Sequence, residues 1–178
     1  MSIQLKSPRL SISPLEFSDL EDVHQLHLLP ETDKYNTLGI PESLEQTEQI
    51  VTAWVKENET PDDNRTFKIH LRSDAAFIGL IALAMGKPKF RSAEVWLKLH
   101  PNHWNQGYAT EALKTLIAFG FETLDLHRIE AGCAVDNVGS AQVLLKAGMQ
   151  QEGTKRSVLP LKSGWSDAHI FAIIREDS

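Results

Sequence analysis

The segment Trp104-Asn105-Gln106-Gly107-Tyr108-Ala109-Thr110-Glu111 follows an apolar stretch and opens a long run with helical apolar spacing. Gly107 and Ala109 put small residues where loop turns into helix. Several backbone N–H groups can then face outward with no side chain over them. The first N–H groups of a helix have no internal partners and carry partial positive charge. Together they form a seat for a pyrophosphate. A strand, a small-residue loop and a helix in that order therefore predict a nucleotide-phosphate site. A P-loop is excluded, because it requires Gly-Lys-Ser/Thr and Gly107 is followed by Tyr108-Ala109. A dinucleotide loop is excluded too, because G-x-G-x-x-G is missing. The competing reading is a plain helix start with small residues chosen for packing.

The rest of the chain predicts an α+β fold. Arg9 to Ser13 alternates as a strand that Pro14 ends, and Ser18 or Asp19 caps a helix carrying Leu20, Val23, Leu26 and Leu29, stopped by Pro30. Residues 31–41 read as loop, Ser43 caps a helix carrying Ile50, Val51, Trp54 and Val55, and Thr60 to Asn64 form a turn. Thr66 to Leu71 and Phe77 to Leu83 read as a hairpin around Ser73-Asp74. Glu94 to Leu99 is the strand before the loop, with Val95, Leu97 and Leu99 on one face and Glu94, Trp96 and Lys98 on the other. The helix that follows runs from about Gly107 to Leu124 on a stripe of Ala109, Ala112, Leu113, Leu116, Ile117, Gly120 and Leu124. Ile129 to Val135 is a strand, Asp136 or Asn137 caps a short helix to Ala147, and Gly148 occupies the position of a left-handed terminator. Strands at about 149–154 and 169–175 complete a mixed, mostly antiparallel sheet flanked by helices.

At 178 residues and 42% hydrophobic content the chain reads as one domain, residues 1–178, able to bury a core without disulfides. A net charge of −6 argues against general nucleic-acid or anionic-membrane binding, which need a basic face. Cys133 is the single cysteine, which fits a reducing compartment, and the start of the chain has no apolar stretch of a signal peptide, so a cytoplasmic location is expected. No apolar run approaches the roughly 20 residues of a membrane span.

Downstream of the loop, Asn137-x-x-Ser140 opens the second short helix and Lys146-Ala147-Gly148-Met149 closes it. With Trp104 and Gly107-Tyr108-Ala109-Thr110-Glu111-Ala112, these motifs make Leu99 to Gly153 resemble the acetyl-coenzyme A core of the GNAT N-acetyltransferases. The resemblance is strongest to the branch with ribosomal-protein N-terminal acetyltransferases. Asn105 replaces a usual glycine, which could restrict the backbone, and Gln106 replaces a usual basic residue, removing one charge partner for phosphate. The resemblance implies a GNAT fold in which the strand before the loop splays from its neighbour. The backbone of Leu97, Lys98 and Leu99 would then pair with the pantetheine arm, Asn105, Gln106, Gly107, Tyr108, Ala109 and Thr110 would hold the pyrophosphate, and the Asn137 amide would bond the arm. It requires acetyl-coenzyme A and no metal.

Within that resemblance Ser140 is the candidate proton donor to the leaving thiolate, because the tyrosine many relatives carry nearby is replaced by Leu144-Leu145. Its ordinary reading is a small polar packing residue, as that of Asn137 is a helix cap. Glu94 is the candidate general base, against a solvated strand residue or an ion pair with Lys98. His100, His103 and Glu111 are weaker candidates, Glu111 favouring the positive helix start. Phe171 reads as core, Trp54 and Trp165 as packing or pocket wall, and Cys133 as a buried strand residue. The expected activity is direct acetyl transfer to a primary amine, a protein N-terminus or a small molecule such as a polyamine, aminoglycoside or amino acid. A coenzyme A-binding module without turnover is the alternative from a different class. The acceptor is assigned to loops at Asp33 to Ile40, Asp62 to Arg65 and Leu161 to Asp167, and the protein to a monomer or homodimer.

Overall fold

The computed structural model describes residues 3–60 and 63–178. An eight-stranded sheet has the order β1-β2-β3-β4-β5-β6-β8-β7. The strands are β1 (Leu5–Lys6), β2 (Leu10–Pro14), β3 (Arg65–Leu71), β4 (Phe77–Met85), β5 (Ser92–Leu99), β6 (Arg128–Ala134), β7 (Gln150–Leu161) and β8 (Gly164–Ile174). The helices are α1 (Leu20–His27), α2 (Pro30–Asp33), α3 (Leu44–Asn58), α4 (Tyr108–Glu122) and α5 (Val138–Lys146). Among the described residues only β5 and β6 run parallel; every other pairing is antiparallel.

Two cores lie on opposite faces of the sheet. On one, α4 buries Ala112, Leu113, Leu116 and Phe119 against Ile12, Phe67, Ile81, Leu83, Val95 and Ile129. On the other, Val23, Leu26 and Val51 of α1 and α3 meet Leu80, with Trp54 and Trp96 packed alongside. Because β4 feeds both cores, Phe77 to Leu83 is continuously apolar rather than alternating. β5 keeps the predicted division: Val95, Leu97 and Leu99 belong to the α4 side and Trp96 to the other.

Three boundaries differ from the sequence reading. Pro14 lies inside β2, at its last residue, where its missing N–H costs no interior ladder bond. The loop expected at 31–41 begins as the short helix α2, because Pro30 sits at the first helical position, where its fixed φ suits a helix start. The last two strands form one long hairpin, β7 with β8, so the expected acceptor loop at Leu161 to Asp167 is mostly strand. The polar composition of residues 150–157 hid this, since β7 is exposed along nearly its whole length. Part of the turn expected at Thr60 to Asn64 and of the acceptor loop from Asp62, namely Pro61 and Asp62, falls outside the described residues, as do Met1 and Ser2 of the expected leaderless start. Among the described residues no helix is long and apolar enough to cross a membrane.

Gly79 sets how closely β4 approaches the end of β5. It faces Leu99, and a Cβ there would lie 2.2 Å from the Lys98 carbonyl oxygen and 2.9 Å from the Leu99 Cα. Backbone cannot yield as a flexible side chain does, so Gly79→Ala is expected to destabilise the fold by about 2 kcal/mol or more. Urea unfolding with an unchanged midpoint would contradict this.

Candidate active site

β5 and β6 pair only at Ser92↔Arg128, Ala93↔Ile129 and Glu94↔Glu130. Beyond Glu94 the strands separate, since β5 continues to Leu99 against β4 while β6 continues to Ala134 against β8. The β5 edge from Val95 to Leu99 therefore faces an opening instead of a strand. The predicted splay is present, with Leu97, Lys98 and Leu99 along it. Glu94 stands at its apex, exposed, its carboxylate toward Gly132 of β6.

At the other end of that edge the chain passes through a short helical turn at Pro101–His103 and enters α4. Trp104 Nε1 donates to the Leu99 carbonyl at 2.9 Å and ties the loop to the strand end. Asn105 takes φ 57° and Gly107 takes φ 81°. Asparagine is among the few side chains that adopt this left-handed conformation readily, so Asn105 supplies the geometry expected of glycine instead of restricting it. The first helical bond runs from Glu111 N–H to the Gly107 carbonyl at 3.0 Å, and the N–H groups of Asn105, Gln106, Gly107, Tyr108, Ala109 and Thr110 have no acceptor among the described residues. They form a candidate anion seat at a helix start.

A residue distant in sequence braces this seat. Arg9 Nε donates to Glu111 Oε2 at 2.6 Å, its Nη1 donates to the Gln106 carbonyl at 2.9 Å, and its guanidinium lies 4.4 Å from the Tyr108 ring centroid. The Arg9 N–H and Ser7 Oγ donate to Glu111 Oε1 at 2.8 and 2.6 Å. Glu111 therefore anchors the N-terminal segment, a more specific task than complementing a helix dipole. Arg9 also returns a positive charge to the loop where Gln106 lacks one. Nothing in the spacing marked Arg9, because its partners are about 100 residues away.

α5 follows the end of β6, the strand on the other side of the opening. Asn137 caps it, its side chain accepting from Ser140 N–H at 3.2 Å, and Gly148 follows with φ 96°. The cap occupies Asn137 Oδ1 and leaves Nδ2 without a partner among the described residues. Ser140 is half-buried beside Cys133 of β6. Burial pushes the Cys133 thiol up, the neighbouring Ser140 side chain working the other way, so the thiol stays protonated at neutral pH.

The remaining candidates separate. Among the described residues Glu94 forms no ion pair with Lys98. Lys98 is only 5% exposed and is pulled down to about 8 by burial, which the nearby charge of Asp33 partly offsets. His100 accepts from Asn102 N–H at 3.2 Å and holds the turn before the loop. His103 stands 6.1 Å from the Tyr108 ring. Phe171 is fully buried, Trp54 lies 5.3 Å from Trp96, and Trp165 is 69% exposed, so it is not a packing residue. Among the described residues no cluster of His, Cys, Asp and Glu could hold a metal ion.

A family model described as an acetyltransferase (GNAT) domain matches residues 9–150. The chain belongs to the GNAT family. It is an N-acetyltransferase. The protein is 32% identical to YnaD of Bacillus subtilis (strain 168), named an uncharacterized N-acetyltransferase, over 98% of this chain and 99% of that one. A ribosomal-protein-serine acetyltransferase of Escherichia coli (strain K12) is 32% identical over 54% of each chain. Among solved structures, the spermidine N-acetyltransferase of Vibrio cholerae in complex with CoA and spermine superposes with a TM-score of 0.85 at 22% identity, covering 96% of this chain and 98% of that one. At that identity the likeness shows the fold.

The brace gives this acetyltransferase an acid-sensitive loop. Burial pushes the Glu111 carboxyl up, but the bonds from Ser7 and Arg9 and the guanidinium charge outweigh it, and its pKa lies below the usual carboxylate value. A depressed carboxyl contributes stability above its unfolded pKa and loses it as pH falls through the folded pKa. Glu111→Gln should therefore melt below the native protein at pH 7, with the gap closing below about pH 4. A melting gap constant from pH 7 to pH 3 would remove the charge of Glu111 from the brace.

Proposed function

We propose that this acetyltransferase moves acetyl directly from acetyl-coenzyme A to the α-amine of a peptide or protein N-terminus. The observation that carries the reading is the opening between β5 and β6, which runs from a carboxylate at its apex, Glu94, to the N–H groups of residues 105–110, six groups with no acceptor among the described residues. The backbone of Leu97, Lys98 and Leu99 would hold the pantetheine arm as an added strand. The N–H groups of Asn105, Gln106, Gly107, Tyr108, Ala109 and Thr110 would hold the pyrophosphate, with Asn137 Nδ2 as a further donor. Acetyl-coenzyme A supplies an activated acyl thioester.

In this reading a backbone N–H of β5 polarises the thioester carbonyl. Glu94 accepts the proton the acceptor amine releases as its nitrogen bonds the acyl carbon. Ser140 donates its hydroxyl proton to the sulfur as the C–S bond breaks and regains one from solvent. The protonated Cys133 supports direct transfer over a cysteine-bound acyl group. Of the acceptor classes named among the similar proteins, ribosomal proteins and spermidine, the first fits the motifs of the loop and of α5. A small-molecule amine is the second reading, favoured by the spermine complex of the Vibrio cholerae structure. The single-cysteine composition supports a cytoplasmic site of action.

An intact-mass screen of N-terminal peptides and small amines with acetyl-coenzyme A tests the acceptor. The expected result is one added acetyl on peptides, and modification of polyamines alone would reject the peptide reading. Ser140→Ala is expected to lower kcat about a hundredfold with little change in KM for acetyl-coenzyme A, because a proton donor to the leaving group acts in the transition state. A loss under about threefold would return Ser140 to helix packing. Glu94→Gln keeps the size and removes the proton acceptor, so the rising limb of the pH–rate profile should flatten. An unchanged profile would remove Glu94 from the chemistry.

A further inference from the structure

A cleft of about 430 Å³ opens between the first residue of α4 and the turn that joins β3 to β4. It is lined by Pro8, Arg9, Leu71, Arg72, Ser73 and Tyr108. Two arginines line it and no carboxylate does, in a chain whose net charge is −6. The Arg72 N–H donates to the Arg9 carbonyl at 2.9 Å, and its Nη1 donates to the carbonyls of Ser7 and Pro8 at 2.9 and 3.2 Å. These bonds fasten the guanidinium to the N-terminal segment and leave Nε and Nη2 without an acceptor among the described residues. Arg9 uses Nε on Glu111 and Nη1 on the Gln106 carbonyl, which leaves its Nη2 in the same condition. The hydroxyls of Ser73 and Tyr108 also have no partner among the described residues. The carboxylate of the next residue, Asp74, serves its own turn, its Oδ1 accepting from the Ala76 N–H at 3.1 Å.

The cleft adjoins the candidate anion seat. Gly107 belongs to both: its N–H is one of those at the seat, and a Cβ on it would stand 3.2 Å from Arg9 Nη2. A cleft with several free donors and no carboxylate suits an anion. A guanidinium presents a planar fork of donors that matches the oxygens of a phosphate. One nitrogen of Arg72 does the fastening, and the rest of the fork is left to the cleft that the residue lines. Coenzyme A carries a phosphate monoester on its ribose besides the pyrophosphate. With the pantetheine arm running along β5 toward Glu94, the nucleotide end leaves the seat in the other direction. Gly107 and Tyr108 then connect the seat to the cleft.

We propose that this cleft binds the ribose 3′-phosphate of coenzyme A, with Arg72 as its main partner and Ser73 Oγ and Arg9 Nη2 as further donors. This rests on the acetyl-coenzyme A reading above and adds a specificity determinant to it: the protein distinguishes coenzyme A from its 3′-dephospho form. A phosphate monoester carries close to two negative charges at neutral pH and three acceptor oxygens. Nε and Nη2 of Arg72 meet two of those oxygens side by side. Ser73 Oγ donates to the third. The pyrophosphate, by contrast, meets backbone N–H groups, whose partial charge belongs to the helix start and not to any side chain. The two phosphate sites are therefore separable, one made by backbone and the other by side chains. Both arginines are exposed, so the attraction at the cleft weakens as salt is added.

Calorimetry on the full chain tests this with coenzyme A and 3′-dephospho-coenzyme A, in the native protein, Arg72→Gln and Ser73→Ala. The native protein is expected to bind coenzyme A at least about tenfold tighter than the dephospho form at low salt, with the difference shrinking as ionic strength rises. Arg72→Gln should weaken coenzyme A about tenfold and leave the dephospho form unchanged, so that the preference collapses. Ser73→Ala should lower the preference about threefold, the loss of one hydrogen bond. Ser73 takes no part in fastening the N-terminal segment, so this variant decides the matter if Arg72→Gln fails to fold. Equal native affinities for the two ligands would overturn the proposal and leave the coenzyme A reading intact. So would a preference unchanged in the folded variants. Equal weakening of both ligands in Arg72→Gln would also overturn it and reduce Arg72 to a fastener of the chain end. Binding of neither ligand would overturn the coenzyme A reading itself.

Discussion

Among the described residues β5 and β6 are the only parallel neighbours in the sheet, and they pair over just three residue pairs. Where that pairing stops determines what the molecule can do. Parallel strands need a long crossover between them, here α4, so the start of α4 must lie near the far end of β5. Separating the two strands beyond Glu94 leaves β5 backbone unpaired in the interior of a sheet rather than at its rim. Unpaired backbone donors and acceptors there demand a partner, and an extended chain running from the helix N-terminus toward Glu94 would supply one. The opening and the anion seat are therefore two consequences of one crossover.

The candidate anion seat is not held by its own segment alone. Within the loop, Trp104 Nε1 donates to the Leu99 carbonyl and Gln106 Nε2 to the Asn102 carbonyl, while the N–H groups of residues 105–110 have no acceptor among the described residues. Arg9 and Ser7 supply the rigidity, by way of Glu111 and the Gln106 carbonyl. The guanidinium is about half exposed, so the ion pair alone is worth little. What matters is that the contacts are shared: one carboxylate accepts from Ser7 Oγ, Arg9 N–H and Arg9 Nε and fixes the β2 end against α4.

The two faces of β5 are chemically divided. Val95, Leu97 and Leu99 close the α4 core, while Trp96 and Lys98 line the face under α1 to α3. The strand period of two enforces the division. One strand therefore carries an unpaired backbone edge beyond Glu94 and two chemically different side-chain faces.

The local part of this design was written in the sequence. The residues from Trp104 to Glu111 specify a helix start with free N–H groups because small residues and left-handed positions are properties of adjacent amino acids. The Asn137 cap, the left-handed Gly148 and the two faces of β5 were legible for the same reason: capping and strand alternation act within a few residues. β1, the length of the β7–β8 hairpin and the helix at Pro30 were not legible, since β1 is two residues long, β7 is polar and exposed, and α2 is four residues long. The Arg9 brace and the packing of buried His27 against Trp54 were decided by tertiary structure alone. Their members are distant in the chain and carry no periodicity, so only the packing of α1 against α3, and of the β2 end against α4, brings them together. The sequence determined the class of chemistry through short-range backbone geometry, and the fold decided which charges surround it.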